Sequence, residues 1–264
     1  MTDVPEAERG QDPVRPSRHV SIEINGQPSA WARAAKLGLT EDVHHALPER
    51  GQRVAIVGCG TSFFMAQSFA ELRESSGHGE TDAFPASEFP TRRSYDALVA
   101  LTRSGTTTEV LRLLATLRNG TGPRTVAITA DPNTPVVDLA DRQVVLDFAD
   151  EKSIVQTRFA TTSLALWRAW LGEDLTSVVE QGQSALTHPL PLRALDSAQF
   201  TFLGSDMSVG IANEAALKLR EASQSWSESY PSLEFRHGPS AWWAELRPSG
   251  CWARLPEGCW RTSR

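Results

Sequence analysis

Short apolar runs recur along this chain, each followed by a polar turn and then by a stretch of helix-forming residues. Residues 54–57, Val-Ala-Ile-Val, form a β-branched run of the kind found in strands buried on both faces. Residues 96–102 (DALVALT), 125–129 and 144–148 repeat the pattern, and 80–84 is a short strand candidate. Helices are predicted over 62–75, ended by Gly77-His78-Gly79, and over 109–118. A short helix follows the loop 131–135, and an apolar helix over 160–171 carries Trp167 and Trp170. Upstream, a helical pattern begins at His19 and uses Ile22, Ile24, Trp31, Ala34 and Leu37. Pro28 interrupts it, and Ser29 is placed to cap a second helix from Ala30. Residues 47–52 form the loop into the first strand. Strands that alternate with helices predict a parallel sheet covered on both faces, a three-layer α-β-α sandwich of the α/β class.

A smaller echo follows. Residues 171–195 read as a connector, 199–204 (QFTFLG) as a strand, 205–208 as its turn and 209–223 as a helix. This predicts one near-complete first domain over 19–171, a connector over 172–197 and a partial second copy over 198–239. Residues 1–18, rich in Pro, Glu, Arg and Asp, are expected to be disordered. Residues 240–264 show neither helical nor strand periodicity and are expected to be an atypical tail, the product of a frameshift or truncation.

Two of the turns carry candidate chemistry. Gly58-Cys59-Gly60-Thr61-Ser62 joins the first strand to its helix, and Thr102-Arg103-Ser104-Gly105-Thr106-Thr107-Thr108 joins the 96–102 strand to its own. Each sets backbone N–H groups and hydroxyls at a helix N-terminus, where the helix dipole favours an anion. The first turn has neither the spacing of a dinucleotide fingerprint nor the Gly-Lys-Ser/Thr ending of a P-loop, and taken alone it also fits an ordinary strand-to-helix turn. Two hydroxyl turns at the carboxyl ends of strands in one parallel sheet instead suggest the two sides of a phosphate cradle.

The chain has 264 residues, 40% of them apolar, enough for a sizeable core. A net charge of −6 and the lack of a dense basic run argue against a nucleic-acid partner. No apolar run is long enough to cross a membrane and no signal-peptide pattern is present, so a cytoplasmic protein is expected. The three cysteines, Cys59, Cys251 and Cys259, show no framework spacing, and Cys59 reads as a packing residue rather than a nucleophile. No Cys/His cluster has metal-ligand spacing, so neither a metal nor a cofactor is expected.

Four stretches resemble the sugar isomerase (SIS) family in its double-domain form, the form seen in the isomerase half of glucosamine-6-phosphate synthase and in tagatose/galactosamine-phosphate isomerase-deaminases. They are the two hydroxyl turns, the segment 213–221 (NEAALKLRE) and the segment 234–239 (EFRHGP). Residues 85–89 and 156–159 add weaker support. The resemblance covers roughly residues 22–239. It implies that Gly60, Thr61 and Ser62 line a sugar-phosphate pocket. It also implies that Thr102, Ser104, Gly105 and Thr107 hold the phosphate with backbone amides. Arg103 departs from the family, which usually has a neutral amide there. Its guanidinium could add charge to the phosphate site, but the expectation is that it points to solvent.

Glu214, Lys218 and Glu221 share one helical face, as an acid/base set or as a solvated salt-bridged face. An aldose–ketose isomerase needs a carboxylate that moves a proton between adjacent carbons, and a donor that opens the ring. The resemblance implies Glu221 as that base and His237 as the ring-opening group, with Glu214 and Lys218 orienting them. It also implies a homodimer, because in the family the histidine can come from a neighbouring subunit. The expected ligand is a hexose or hexosamine 6-phosphate. The expected activity is isomerisation, with deamination of an amino sugar phosphate as a variant. Glutamine-dependent synthesis is not expected, since Met1 is not followed by a cysteine. A DNA-binding regulator is not expected either, because the residues before the first strand hold no basic recognition helix. The alternatives are a binding module without turnover and an inactive truncated product.

Overall fold

The computed structural model of the chain describes residues 18–118, 120, 122–190, 194, 196–240 and 251–253. The expectations for 1–18 and for the 240–264 tail therefore lie mostly outside the described residues. Arg18, expected to be disordered, instead starts the first helix, and 251–253 form a short strand.

Buried β-branched runs form the first sheet. Its strands are β1 (Val54–Gly58), β2 (Thr81–Pro85), β3 (Ala97–Leu101), β4 (Arg124–Thr129) and β5 (Arg142–Val145). They lie in the order β2-β1-β3-β4-β5, and all are parallel. The helices around them are α1 (Arg18–Asn25), α2 (Gln27–Gly38), α3 (Glu41–Ala46), α4 (Thr61–Ser75), α5 (Thr108–Arg118), α6 (Pro135–Leu139), α7 (Arg158–Trp170) and α8 (Thr176–Ala185). Alternate strand residues face opposite layers, as the two-residue period of a strand requires. Val54, Ile56, Val99 and Ile128 pack toward α4 and α7, where Phe69 stacks on the fully buried Trp167 at 5.0 Å. Ala55, Val57, Leu98 and Ala127 pack toward α5 and α6 through Val110, Leu114 and Val136. The predicted three-layer parallel architecture is the one observed.

A second, parallel sheet has the order β7-β6-β8, from β6 (Gln199–Gly204), β7 (Trp226–Pro231) and β8 (Cys251–Ala253). Helix α9 (Ser208–Ser223) packs on β6 and β7 and also on α4 of the first sheet. This helix joins the two halves.

Two local expectations are corrected. Residues 144–148 do not form one strand. β5 ends at Val145, and Asp147–Ala149 turn as a 3-10 helix whose first carboxylate accepts the Phe148 N–H at 2.7 Å. Ser29 does not cap a helix. α2 starts at Gln27 after Gly26, and the Ser29 hydroxyl donates back to Gly26 O at 2.9 Å. Pro28 sits in the first turn, where its missing N–H would have had no intrahelical partner. Strand β7, which the sequence pattern did not announce, is polar. Its buried Ser227 hydroxyl donates to Ala216 O at 2.6 Å, so a side-chain bond to α9 stands in for apolar packing.

Candidate functional site

The strand order places β1 beside β3, with Val57 level with Ala100. From β1 the chain moves outward one way to β2 and crosses back the other way to β3. The crevice between the carboxyl ends of β1 and β3 is therefore the topological switch point, where ligands of open α/β sheets bind. The two hydroxyl turns leave these two neighbouring strands.

In the first turn Gly60 (φ +54°, ψ −123°) precedes α4. The Ser62 N–H donates to Cys59 O at 3.1 Å, and the Phe64 N–H donates to Gly60 O at 3.1 Å. Thr61 and Ser62 open the helix and are buried, at 6% and 5% exposure. Cys59 is half-buried against the core layer of α5 and α6, and burial pushes its thiol up, which suits packing rather than nucleophilic attack.

The second turn closes on itself. Thr102 Oγ1 and Thr107 Oγ1 lie 3.3 Å apart, and Thr107 O accepts the Leu111 N–H at 3.0 Å as α5 begins. The Ser104 hydroxyl is drawn instead to Thr106, whose Oγ1 lies 3.0 Å away and whose N–H lies 3.3 Å away. Thr106 is thus a member of the turn that the motif reading left without a role. Gly105 has φ +61°, and a β-carbon there would stand 1.9 Å from Thr134 Oγ1. Its carbonyl accepts the Val136 N–H at 3.2 Å, so α6 fixes the tip of the turn. Any side chain at this position would push the turn off that support.

The guanidinium of Arg103 does not point into open solvent, contrary to expectation. The side chain is 19% exposed, and Nη1 lies 3.4 Å from Asp150 Oδ1 and 2.5 Å from Glu151 O.

Helix α9 brings Glu214 to the first turn. It approaches α4 closely at Gly210, and Asn213 Nδ2 donates to Gln67 Oε1 at 2.8 Å. A β-carbon at Gly60 would stand 4.0 Å from Leu217 Cδ2. Glu214 then lies buried, 7% exposed, beside Thr61. Burial pushes its carboxyl up to about 7, and Glu221 adds to that push, while Lys218 and the Thr61 hydroxyl oppose it. Lys218 Nζ lies 3.6 Å from Glu214 Oε1 but 2.5 Å from Glu221 Oε2. The ammonium is thus shared unequally, and Glu214 Oε2 stays buried without a hydrogen-bond partner. The three charges form a partly buried cluster rather than a solvated face. A carboxyl poised near neutrality beside an ammonium can give or take a proton at physiological pH.

His237 follows the 3-10 turn Glu234–Arg236 and is exposed. Its N–H donates to Glu234 O at 2.9 Å, and its ring makes no bond to Glu214, Lys218 or Glu221. Among the described residues no group of three His, Cys, Asp or Glu side chains could hold a metal ion, and no helix is long and apolar enough to cross a membrane.

Residues 49–169 match the family described as SIS domain. A glutamine–fructose-6-phosphate aminotransferase (isomerizing) of Campylobacter jejuni is 31% identical over 211 residues, which is 71% of this chain and 35% of that protein. The chain thus spans about a third of the length of the curated relatives it matches. Among solved structures, the C-terminal domain of glucosamine-fructose-6-phosphate aminotransferase from Francisella tularensis superposes with a TM-score of 0.69 at 25% identity, over 86% of this chain and 73% of that one. Glucosamine-6-phosphate deaminase of Thermotoga maritima gives a TM-score of 0.69 at 24% identity, over 88% and 75% of the two chains.

Proposed function

We propose that this chain, which carries an SIS domain homologous to part of the isomerizing aminotransferases, binds a hexose or hexosamine 6-phosphate and acts as an aldose–ketose isomerase. The observation that carries the reading is the meeting of Glu214 on α9 with Thr61 at the β1–β3 switch point, one strand from the second hydroxyl turn. In this reading the phosphate sits in the 102–107 turn, held by its backbone N–H groups and by the hydroxyls of Thr102, Ser104 and Thr107. The sugar lies toward Gly60, Thr61 and Ser62. Glu221 takes the proton from one carbon and returns it to its neighbour, which interconverts aldose and ketose through an enediol. Lys218 holds the Glu221 carboxylate in place, and the buried Glu214 sets the local charge. Deamination of an amino sugar phosphate at the same site is a variant of this chemistry.

His237 opens the sugar ring from a neighbouring copy. Its exposure, and the lack of a bond to the acidic cluster of its own chain, support a homodimer with shared sites. A second reading, binding without turnover, is favoured by the short Lys218–Glu221 contact, which occupies a carboxylate oxygen that proton abstraction would need.

The test is thermal melting with and without millimolar fructose 6-phosphate, glucosamine 6-phosphate and tagatose 6-phosphate, followed by an isomerisation assay on whichever ligand stabilises. A ligand that binds only the folded chain raises the midpoint. A rise with turnover supports the isomerase, and a rise without turnover supports the binding module. No rise with any of the three overturns both.

A further inference from the structure

Arg103 occupies an anion-binding turn, where a guanidinium would ordinarily face the anion. Here it is committed elsewhere. Nη1 reaches across to the segment after β5, at 3.4 Å from Asp150 Oδ1 and 2.5 Å from Glu151 O. Its own carbonyl accepts the Thr129 hydroxyl and the Ala130 N–H, both at 3.1 Å. One residue therefore ties the carboxyl ends of β3 and β4 to the segment after β5.

The segment it reaches is held firmly. The buried Glu151 carboxylate accepts the N–H groups of Thr157 and Arg158 at 2.6 Å and of Phe159 at 3.0 Å, so it caps α7. The buried Glu23 of α1 accepts the N–H groups of Lys152 and Ser153 at 2.7 and 3.2 Å. Two buried glutamates thus fix the wall against which Arg103 pulls. The ion pair with Asp150 is half-exposed and contributes little by itself. The short bond to the Glu151 carbonyl is the firmer link.

We propose that Arg103 is a positioning residue: it braces the 102–107 turn against the 150–157 segment and presets the turn's N–H groups and hydroxyls, without binding the phosphate itself. The inference rests on the proposed phosphate role of that turn. It adds that affinity in this chain depends on a brace absent where an uncharged side chain stands at this position.

The experiment compares wild type, Arg103→Met and Arg103→Lys. The first readout is backbone hydrogen exchange over 102–107 and 150–157 without ligand, which is independent of what the site binds. The second is the dissociation constant for the stabilising sugar phosphate across a salt series. Arg103→Met is expected to raise exchange in both segments about tenfold and to weaken binding about tenfold, with the salt dependence of binding unchanged. Arg103→Lys keeps a donor for the Glu151 carbonyl and is expected to restore most of the protection and affinity. Unchanged exchange overturns the brace. So does a loss of affinity accompanied by a shallower salt dependence, which marks a direct phosphate contact. If the wild type binds no sugar phosphate, the proposed function fails, and the exchange readout still decides whether the brace exists.

Discussion

Gly210 of α9 lies so close to Ser68 of α4 that a β-carbon at 210 would stand 2.3 Å from the serine Oγ, and equally close to Phe64 O. The Ser68 hydroxyl also donates to Met207 O at 2.8 Å. This contact seats the helix of the second sheet on the first, and it brings Glu214 to Thr61 one turn later.

Gly210→Ala is expected to destabilise the chain, because Phe64 O is backbone and cannot swing aside. Overpacking of this kind costs about 1–3 kcal/mol, a fall of several degrees in the melting midpoint. Sugar-phosphate affinity should fall with it as Glu214 leaves the turn. Calorimetric melting and ligand titration check both, and an unchanged midpoint would mean that α9 is not seated through this contact.

Glu214 makes stability depend on pH with a definite sign. Burial raises its folded-state value to about 7 from the ordinary 4.5, so the folded chain holds a proton that the unfolded chain releases between these values. Stability must therefore fall as pH rises through that window. Glu214→Gln, which stays neutral, should flatten the decline. Melting midpoints across the window measure it, and equal slopes in the two proteins would refute the assignment.

The proposed phosphate role of the 102–107 turn is open to a direct test. Ser104→Ala with Thr107→Ala removes two hydroxyls, and hydrogen bonds to a charged group contribute about 1.5–3 kcal/mol each. Sugar-phosphate affinity should fall at least tenfold at an unchanged fold, read by titration calorimetry and circular dichroism. Wild-type affinity in the double variant would move the phosphate elsewhere.

A site shared between copies predicts complementation. Glu221→Gln and His237→Ala should each lower turnover about 10²–10⁴-fold. Mixed and reassembled, the two variants should recover activity at about a quarter of the sites, because half of the dimers are mixed and each holds one intact pair. No recovery in a preparation shown to contain mixed dimers would place His237 in its own chain's site or outside the chemistry.

What could be read in advance follows from local physics. A strand buried on both faces must be apolar throughout, so Val54–Gly58 and Ala97–Leu101 announce themselves as continuous runs. A turn that presents amides to an anion needs glycine and hydroxyls, which marks 58–62 and 102–107. Glu214, Lys218 and Glu221 share a face by spacing alone. β7 escaped notice because its buried Ser227 is satisfied by a carbonyl of α9 rather than by apolar packing, and no pattern within the strand records that.

Tertiary structure decided the rest, because adjacency between elements is not written in local periodicity. Strand order set the two turns side by side at the switch point. The approach of α9 to α4 took Glu214 out of water, and desolvation rather than sequence neighbours shifted its carboxyl to near neutrality. Arg103 looked free because its partners, Asp150 and Glu151, lie two strands away and reach it only once β3, β4 and β5 are paired. The sequence by itself determined most of the elements that form and which residues are candidates for chemistry. The pairing of those elements determined which charges are buried and which are held.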